Sequence, residues 1–285
     1  MTQTVVITGG SKGIGLHTAK RFALNGWNIG ICARTPNDLD SAKIDIESEF
    51  NVKVFGYIAD VASESDMEHF AYQTNQRLGN IDVLICNAAV LGPIGHFSSI
   101  NLSEIESTLS INVLGPYNSI RAFWPYLSRS LSPRIIIISG GGLGGPKQIR
   151  SAPAYVPTKA AIALLTEILA DDLKSINGSI IAIAPGGVIA TEFLKTVLVA
   201  GVEAAGEALF IDAKHQQEAD IGTSLDEFHL LLDFLMTDAG LALNGRILSA
   251  KWNKVDDLKE ELIQGLGPDI YRLRRIDNHL YKSIE

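Results

Sequence analysis

The 285-residue sequence predicts an α/β fold, a doubly wound parallel sheet of about seven strands with helices on both faces. Three observations carry that expectation. Short apolar runs alternate with longer segments of helical period. The runs are rich in Val and Ile and lack the polar alternation of a sheet wetted on one side. The first run passes through a glycine-rich turn directly into the first helix.

The elements follow in order. Val5–Thr8 is the first strand, and Gly9-Gly10-Ser11-Lys12-Gly13-Ile14-Gly15 leads into a helix over Ile14–Asn25. Asn28–Ala33 is the second strand, followed by a helix over Pro36–Glu49 with proline at its start. Val52–Ala59 and Asp82–Asn87 are strands on either side of a helix over Ser63–Leu78. A long helix spans Leu102–Ser128, and strand Arg134–Ser139 precedes a helix over Ala154–Ile176. Strand Ser179–Ala184, a helix over Ser224–Met236 and strand Gly245–Ala250 complete the series. Val188–Gly222 breaks the rhythm with inserted helical material. Past Ala250 the chain turns charged and helical.

Composition narrows the function classes. A net charge of −8 argues against nonspecific nucleic-acid binding, which needs a basic surface. No apolar run reaches the length of a membrane-spanning helix. The N-terminal stretch lacks a basic region and enters a strand at once, so a cytoplasmic location is expected. Cys32 and Cys86 fall in apolar runs and read as buried thiols, and the six histidines form no metal-ligand motif.

The glycine-rich turn points to a dinucleotide. Glycines permit a tight turn and close approach of backbone to a pyrophosphate, and the helix N-terminus supplies free N–H groups. Gly9, Ser11, Lys12, Gly13, Ile14 and Gly15 are the expected contacts. Strand two ends Cys32-Ala33-Arg34-Thr35 with no acid to hold a ribose 2′-hydroxyl. Arg34 and Lys12 suit a 2′-phosphate instead, so NADP(H) is the expected cofactor.

Tyr155 and Lys159 stand four residues apart, on one face of a helix. An ammonium beside a phenol favours the phenolate, so the pair is expected to form an acid–base catalyst with a lowered tyrosine pKa.

Thr8-Gly9-x-x-x-Gly13-Ile14-Gly15, Asn87-Ala88-Ala89, Asn112, Ser139, Tyr155-x-x-x-Lys159 and Pro185-Gly186 occur in this order. Over about residues 4 to 250 the chain resembles the short-chain dehydrogenase/reductase family. The resemblance implies a Rossmann-like fold and a nicotinamide cofactor. It implies that Tyr155 exchanges a proton with the substrate oxygen, that Lys159 holds the nicotinamide ribose, and that Ser139 hydrogen-bonds the substrate. Asn112 would anchor a water leading from Lys159 to solvent. Asp60 and Val61 would contact the adenine, Asn87, Ala88 and Ala89 would line the cofactor, and Pro185, Gly186 and Val188 would flank the nicotinamide. Residues 1–250 would form the catalytic domain, with a substrate lid near 188–222, and 251–285 a C-terminal helical extension.

Some features depart from that pattern. Ser139 lies sixteen residues before Tyr155, longer than usual, and Ser151 is the alternative serine. Thr191 comes one residue late for a contact with the cofactor carboxamide. The run Gly140–Gly145 leaves backbone bare beside the site, either for close approach to a substrate or as a loop without special role. Tyr271-Arg272-Leu273-Arg274-Arg275 could reach an anionic substrate, or be a solvated end or subunit contact.

The expected function is an NADPH-dependent reductase, reversible as an alcohol dehydrogenase, acting on a small polar, sugar-derived carbonyl. The mixed composition of the lid (Phe193, Leu194 and Phe210 with Lys195, Lys214 and His215) favours that substrate over a 3-oxoacyl thioester. A non-catalytic NADP(H) sensor is the third reading. Ala154–Ile176 is apolar around more of its circumference than one core face needs, so a homo-oligomer, dimer or tetramer, is expected.

Overall fold

The computed structural model describes residues 2–140, 143, 151–186, 192–218 and 225–274. Its seven strands are β1 (Thr4–Thr8), β2 (Asn28–Ala33), β3 (Val54–Ile58), β4 (Val83–Cys86), β5 (Arg134–Ile138), β6 (Ser179–Ala184) and β7 (Ile247–Ser249). They form one sheet in the order β3-β2-β1-β4-β5-β6-β7, with every pairing parallel. The winding reverses between β1 and β4, which opens a crevice at the carboxyl ends of those strands.

The twelve α-helices among the described residues are α1 (Gly13–Leu24), α2 (Pro36–Glu49), α3 (Glu64–Leu78), α4 (Leu102–Leu109), α5 (Gly115–Leu127), α6 (Tyr155–Ile168), α7 (Ala170–Ser175), α8 (Glu192–Ala205), α9 (Glu207–Glu218), α10 (Leu225–Leu235), α11 (Asp238–Leu241) and α12 (Val255–Gln264). Strands β1 and β5 are buried along their whole length because helices cover both faces. Val5 and Ile7 join the core with α1, α2 and α10, while Val6 joins the opposite core with α3, α5 and α6. Each fully buried Ile or Val side chain contributes about 1.5–3 kcal/mol. Strand β5 supplies isoleucines to both layers, Ile136 and Ile138 to one and Ile135 and Ile137 to the other.

Two expected helices are broken. Ala154–Ile176 divides at Leu169 into α6 and α7. Leu102–Ser128 divides into α4, a π turn over Ser110–Leu114, and α5. Pro116 has no N–H to give the carbonyl four residues back, so the ladder slips and the Gly115 N–H reaches Ser110 O. A Cβ on Gly115 would lie 2.8 Å from Val61 Cγ2, so glycine there lets the helix pack close to the end of β3. The slipped turn carries Asn112, which is buried.

The chain beyond β7 packs back on the sheet. Leu258 of α12 is fully buried in the same core as β1. The Ile247 N–H donates to Tyr271 O at 2.8 Å, so the tail satisfies a donor of the edge strand. Arg272 and Arg274 pair with Glu167 of α6 at 3.1 and 2.7 Å. These two arginines, expected to reach a substrate or a solvated end, are tied to the far end of the Tyr155 helix. Arg275 lies outside the described residues. No helix among the described residues is long and apolar enough to cross a membrane.

Candidate active site

The crevice between β1 and β4 is stitched by Asn87. Its Nδ2 donates to Thr8 O and Gly9 O, each at 3.0 Å. The Asn87 and Ala88 N–H groups both donate to Thr8 Oγ1, at 3.1 and 3.2 Å. Gly9 (φ +64°) therefore lies against the loop after β4, and a Cβ there would sit 3.0 Å from Ala88 Cα. A Cβ on Gly15 would fall 2.3 Å from Gly9 O. Any larger residue at either position would force the turn open.

The turn fits a pyrophosphate. Lys12 is the N-cap of α1 and makes no side-chain capping bond, and no acid stands in the first turn. The helix start thus keeps free N–H groups and an uncompensated positive dipole end, next to Ser11, Gly13 and Ile14. Gly13 has φ +51° and open space where a Cβ would be. Arg34, just past β2, is exposed. Asp60 ends the loop after β3, its Oδ1 accepting from the Ala62 N–H at 2.9 Å, and Val61 is buried beside it. After β6, Pro185 is buried and Gly186 is exposed with φ +85°. Val188, Thr191, Gly141, Gly142, Gly144 and Gly145 lie outside the described residues.

Tyr155 opens α6, and Pro157 fits in the first turn because the N–H groups there have no intrahelical partner. Lys159, one turn on, is 2 % exposed and donates from Nζ to Ile138 O at 2.9 Å. Its Nζ is 5.4 Å from the centroid of the Tyr155 ring. Ser139 directly follows β5, is buried, and its Oγ has no hydrogen-bond partner among the described residues. Next to it, a Cβ on Gly140 would lie 2.5 Å from Tyr155 Oη. The first glycine of the run therefore leaves a slot for the phenol. Ser151, the alternative serine, donates to Ala205 O at 2.6 Å and so fastens the loop to α8.

Asn112 is bound from three sides. Its Oδ1 accepts from the Val90 N–H at 2.8 Å, and its Nδ2 donates to Val90 O at 2.8 Å and to Thr158 Oγ1 at 3.2 Å. Thr158 in turn donates to Tyr155 O at 2.6 Å. Both amide hydrogens are used, so the side chain pins the loop after β4 to the start of α6. Thr158 was not legible as part of this link, since its partner stands 46 residues away.

The electrostatics differ from the expectation of an acidified phenol. Burial pushes the Tyr155 phenol up to about 12 and the Lys159 ammonium down to about 8. Desolvation disfavours the charged form of each group and is the cause of both shifts. The phenol packs against an apolar cluster that includes Leu91, Ala152, Leu194, Val197, Leu209 and Phe210, a neighbourhood invisible in the local sequence. Burial also drives the thiol of Cys32 up to about 12 and that of Cys86 higher, and both are free.

A family model described as short chain dehydrogenase matches residues 3–200. The chain belongs to that family. Membership makes it an oxidoreductase of hydroxyl and carbonyl groups that uses a nicotinamide dinucleotide. This short-chain dehydrogenase is 27% identical over 191 residues to the 3-oxoacyl-acyl-carrier-protein reductase FabG of Staphylococcus epidermidis, covering 66% of this chain and 76% of that protein. It is 30% identical over 186 residues to mouse L-fucose dehydrogenase, covering 65% of each. An oxidoreductase of Thermotoga maritima is 28% identical over 243 residues, 83% of this chain and 89% of that one. Two solved structures share the fold. NAD+-bound xylitol dehydrogenase has a TM-score of 0.77 at 24% identity, over 87% of this chain and 96% of that one. An actinorhodin polyketide ketoreductase with NADPH also reaches 0.77, at 20% identity, over 87% and 95%.

Proposed function

We propose that this dehydrogenase is an NADP(H)-dependent carbonyl reductase, reversible as an alcohol dehydrogenase, whose substrate carries an apolar group beside its carbonyl. The observation that carries the reading is the buried, unpartnered Ser139 hydroxyl next to the slot that holds Tyr155 Oη. A buried hydroxyl without a partner is costly unless a ligand supplies one. A substrate oxygen there would accept from Ser139 and Tyr155 together.

NADPH, when bound on the glycine turn and Arg34, is the two-electron donor to the carbonyl carbon. The chain's own part is acid catalysis and positioning. With its pKa near 12, the Tyr155 phenol is protonated at neutral pH and can donate to the oxygen as negative charge develops there. Lys159, titrating near 8, is mostly cationic at pH 7 and stabilises the tyrosinate left behind. Asn112 and Thr158 keep Tyr155 and the loop after β4 in register. In the oxidative direction the same phenol must first lose its proton, so reduction is the easier direction near pH 7.

The lid supports an apolar substrate flank. Leu194, Val197, Leu198, Leu209, Phe210 and Ala213 turn inward onto Leu91 and Tyr155. Lys195, Glu203, Glu207, Asp212, Lys214 and His215 are exposed. Charge that favoured a sugar-derived substrate in the bare sequence therefore lies on the outside of α8 and α9. A 3-oxoacyl thioester, with an apolar chain, is the second reading on the same observation.

Oxidation of NADPH should be followed with aryl and alkyl ketones, 3-oxoacyl thioesters and keto-sugars. Turnover of the first two classes at kcat/KM about tenfold or more above the sugars is expected. Preference for the keto-sugars would overturn the apolar flank. Loss of turnover with retained NADPH binding in Tyr155→Phe is expected of a reductase, and unchanged turnover would overturn the role of the phenol.

We also propose a homo-oligomer built on α5 and α6. Tyr117, Leu164 and Ile168 are 50%, 46% and 73% exposed, and they leave an apolar face beside the cleft between Trp124 and Leu169.

A further inference from the structure

We propose that Asp38 sets how strongly the cofactor groove favours a 2′-phosphate, by holding Lys12 away from it; the proposal rests on the NADP(H) reading above. Lys12 Nζ lies 2.8 Å from Asp38 Oδ2. The two residues face each other across a cleft between the glycine turn and α2, lined by Ser11, Leu16, Ser41 and Ala42 among others. Asp38 is the third residue of α2, the acid of the helix's first turn. Arg34, four residues earlier, is exposed and forms no ion pair among the described residues.

The two cations of the groove are therefore unequal. Arg34 is available to a phosphate at once. Lys12 is already committed to a carboxylate, and its side chain is 61% exposed against 29% for Asp38. A 2′-phosphate that recruits Lys12 must either displace Asp38 or accept a carboxylate as a near neighbour, and like charges repel. A ribose 2′-hydroxyl meets neither cost and can donate to the same carboxylate. Asp38 thus narrows the gap between phosphorylated and unphosphorylated cofactor. An acid at the end of β2 would exclude the phosphate, whereas an acid one turn inside α2 tempers its binding.

Adenosine 2′,5′-bisphosphate and 5′-AMP differ only in the 2′-phosphate, so calorimetric titration with each reads the groove without any turnover. In Asp38→Asn the bisphosphate should bind about three- to tenfold tighter, with 5′-AMP changing less than about twofold. The gain should shrink in high salt, because the groove is open to solvent. Unchanged bisphosphate affinity, or an equal gain for both nucleotides, would overturn the proposal. Asp38→Ser, which also removes the carboxylate, gives the same reading if the asparagine variant fails to fold. Arg34→Ala run in parallel separates the two claims. If it leaves bisphosphate binding intact while Asp38→Asn tightens it, the role of Arg34 falls and that of Asp38 stands. If it weakens binding while Asp38→Asn does nothing, only the role of Asp38 falls.

Discussion

Replacing Gly140 by alanine should disable the enzyme while leaving it folded. The added Cβ would lie 2.5 Å from Tyr155 Oη and 3.1 Å from both Cε1 and Cζ of the same ring. Carbon and oxygen do not rest much closer than about 3.3 Å without a bond, so the hydroxyl must retreat by nearly 1 Å. Displacement of a reacting group by that distance costs about 100-fold, equivalent to about 2.7 kcal/mol in the barrier. The backbone accepts alanine here, since Gly140 is not among the glycines with positive φ. The atom that must yield is the far end of a side chain, so the loss of stability should stay within about 1–2 kcal/mol. Steady-state assay with the best ketone should show kcat lowered about 100-fold, with NADPH binding by fluorescence within about threefold of the parent. A kcat within about threefold would refute the argument that the phenol occupies the slot beside Gly140 during turnover.

Three further outcomes follow from the same geometry. Ser139→Ala should lower kcat/KM about 100- to 1000-fold, through loss of a donor to the developing oxyanion; its urea midpoint should not fall, because the hydroxyl has no partner to lose. Lys159 has a folded pKa near 8 against 10.5 for the free side chain, so between those values the unfolded chain binds more protons and stability rises with pH. From pH 8 to 10 the wild type should gain about 2–3 kcal/mol relative to Lys159→Met in urea unfolding, and parallel curves would contradict a desolvated ammonium. Ile168→Glu, placing charge on a side chain that is 73% exposed, should shift the species seen by light scattering to a monomer, and an unchanged mass would remove α6 from the interface.

The apolar runs and their turn residues identify the sheet because strand burial on both faces is written locally. Asn28–Ala33, Ser179–Ala184 and the helix Pro36–Glu49 stand where hydrophobic pattern and the helix-starting proline put them. The glycine turn was equally legible, since close backbone approach demands glycine whatever surrounds it. Leu102–Ser128 reads as one helix because its apolar period continues through a segment whose hydrogen bonding does not. The signal was present in Gly115-Pro116.

The residues of the candidate site could be listed from sequence, but their chemistry could not. Spacing put Tyr155 and Lys159 on one helix face, and spacing alone implied an acidified phenol. Packing reversed that expectation, because Leu91 and Leu209, both more than fifty positions from Tyr155, surround it with apolar surface. The same holds for Asp38, whose meaning depends on Lys12 lying 2.8 Å away, and for the lid, whose charges and hydrophobes separate only once α8 and α9 pack against Leu91 and Tyr155. Local patterns determined which elements form and in what order. Desolvation and charge pairing depend on neighbours brought together by folding, and those the tertiary structure decided.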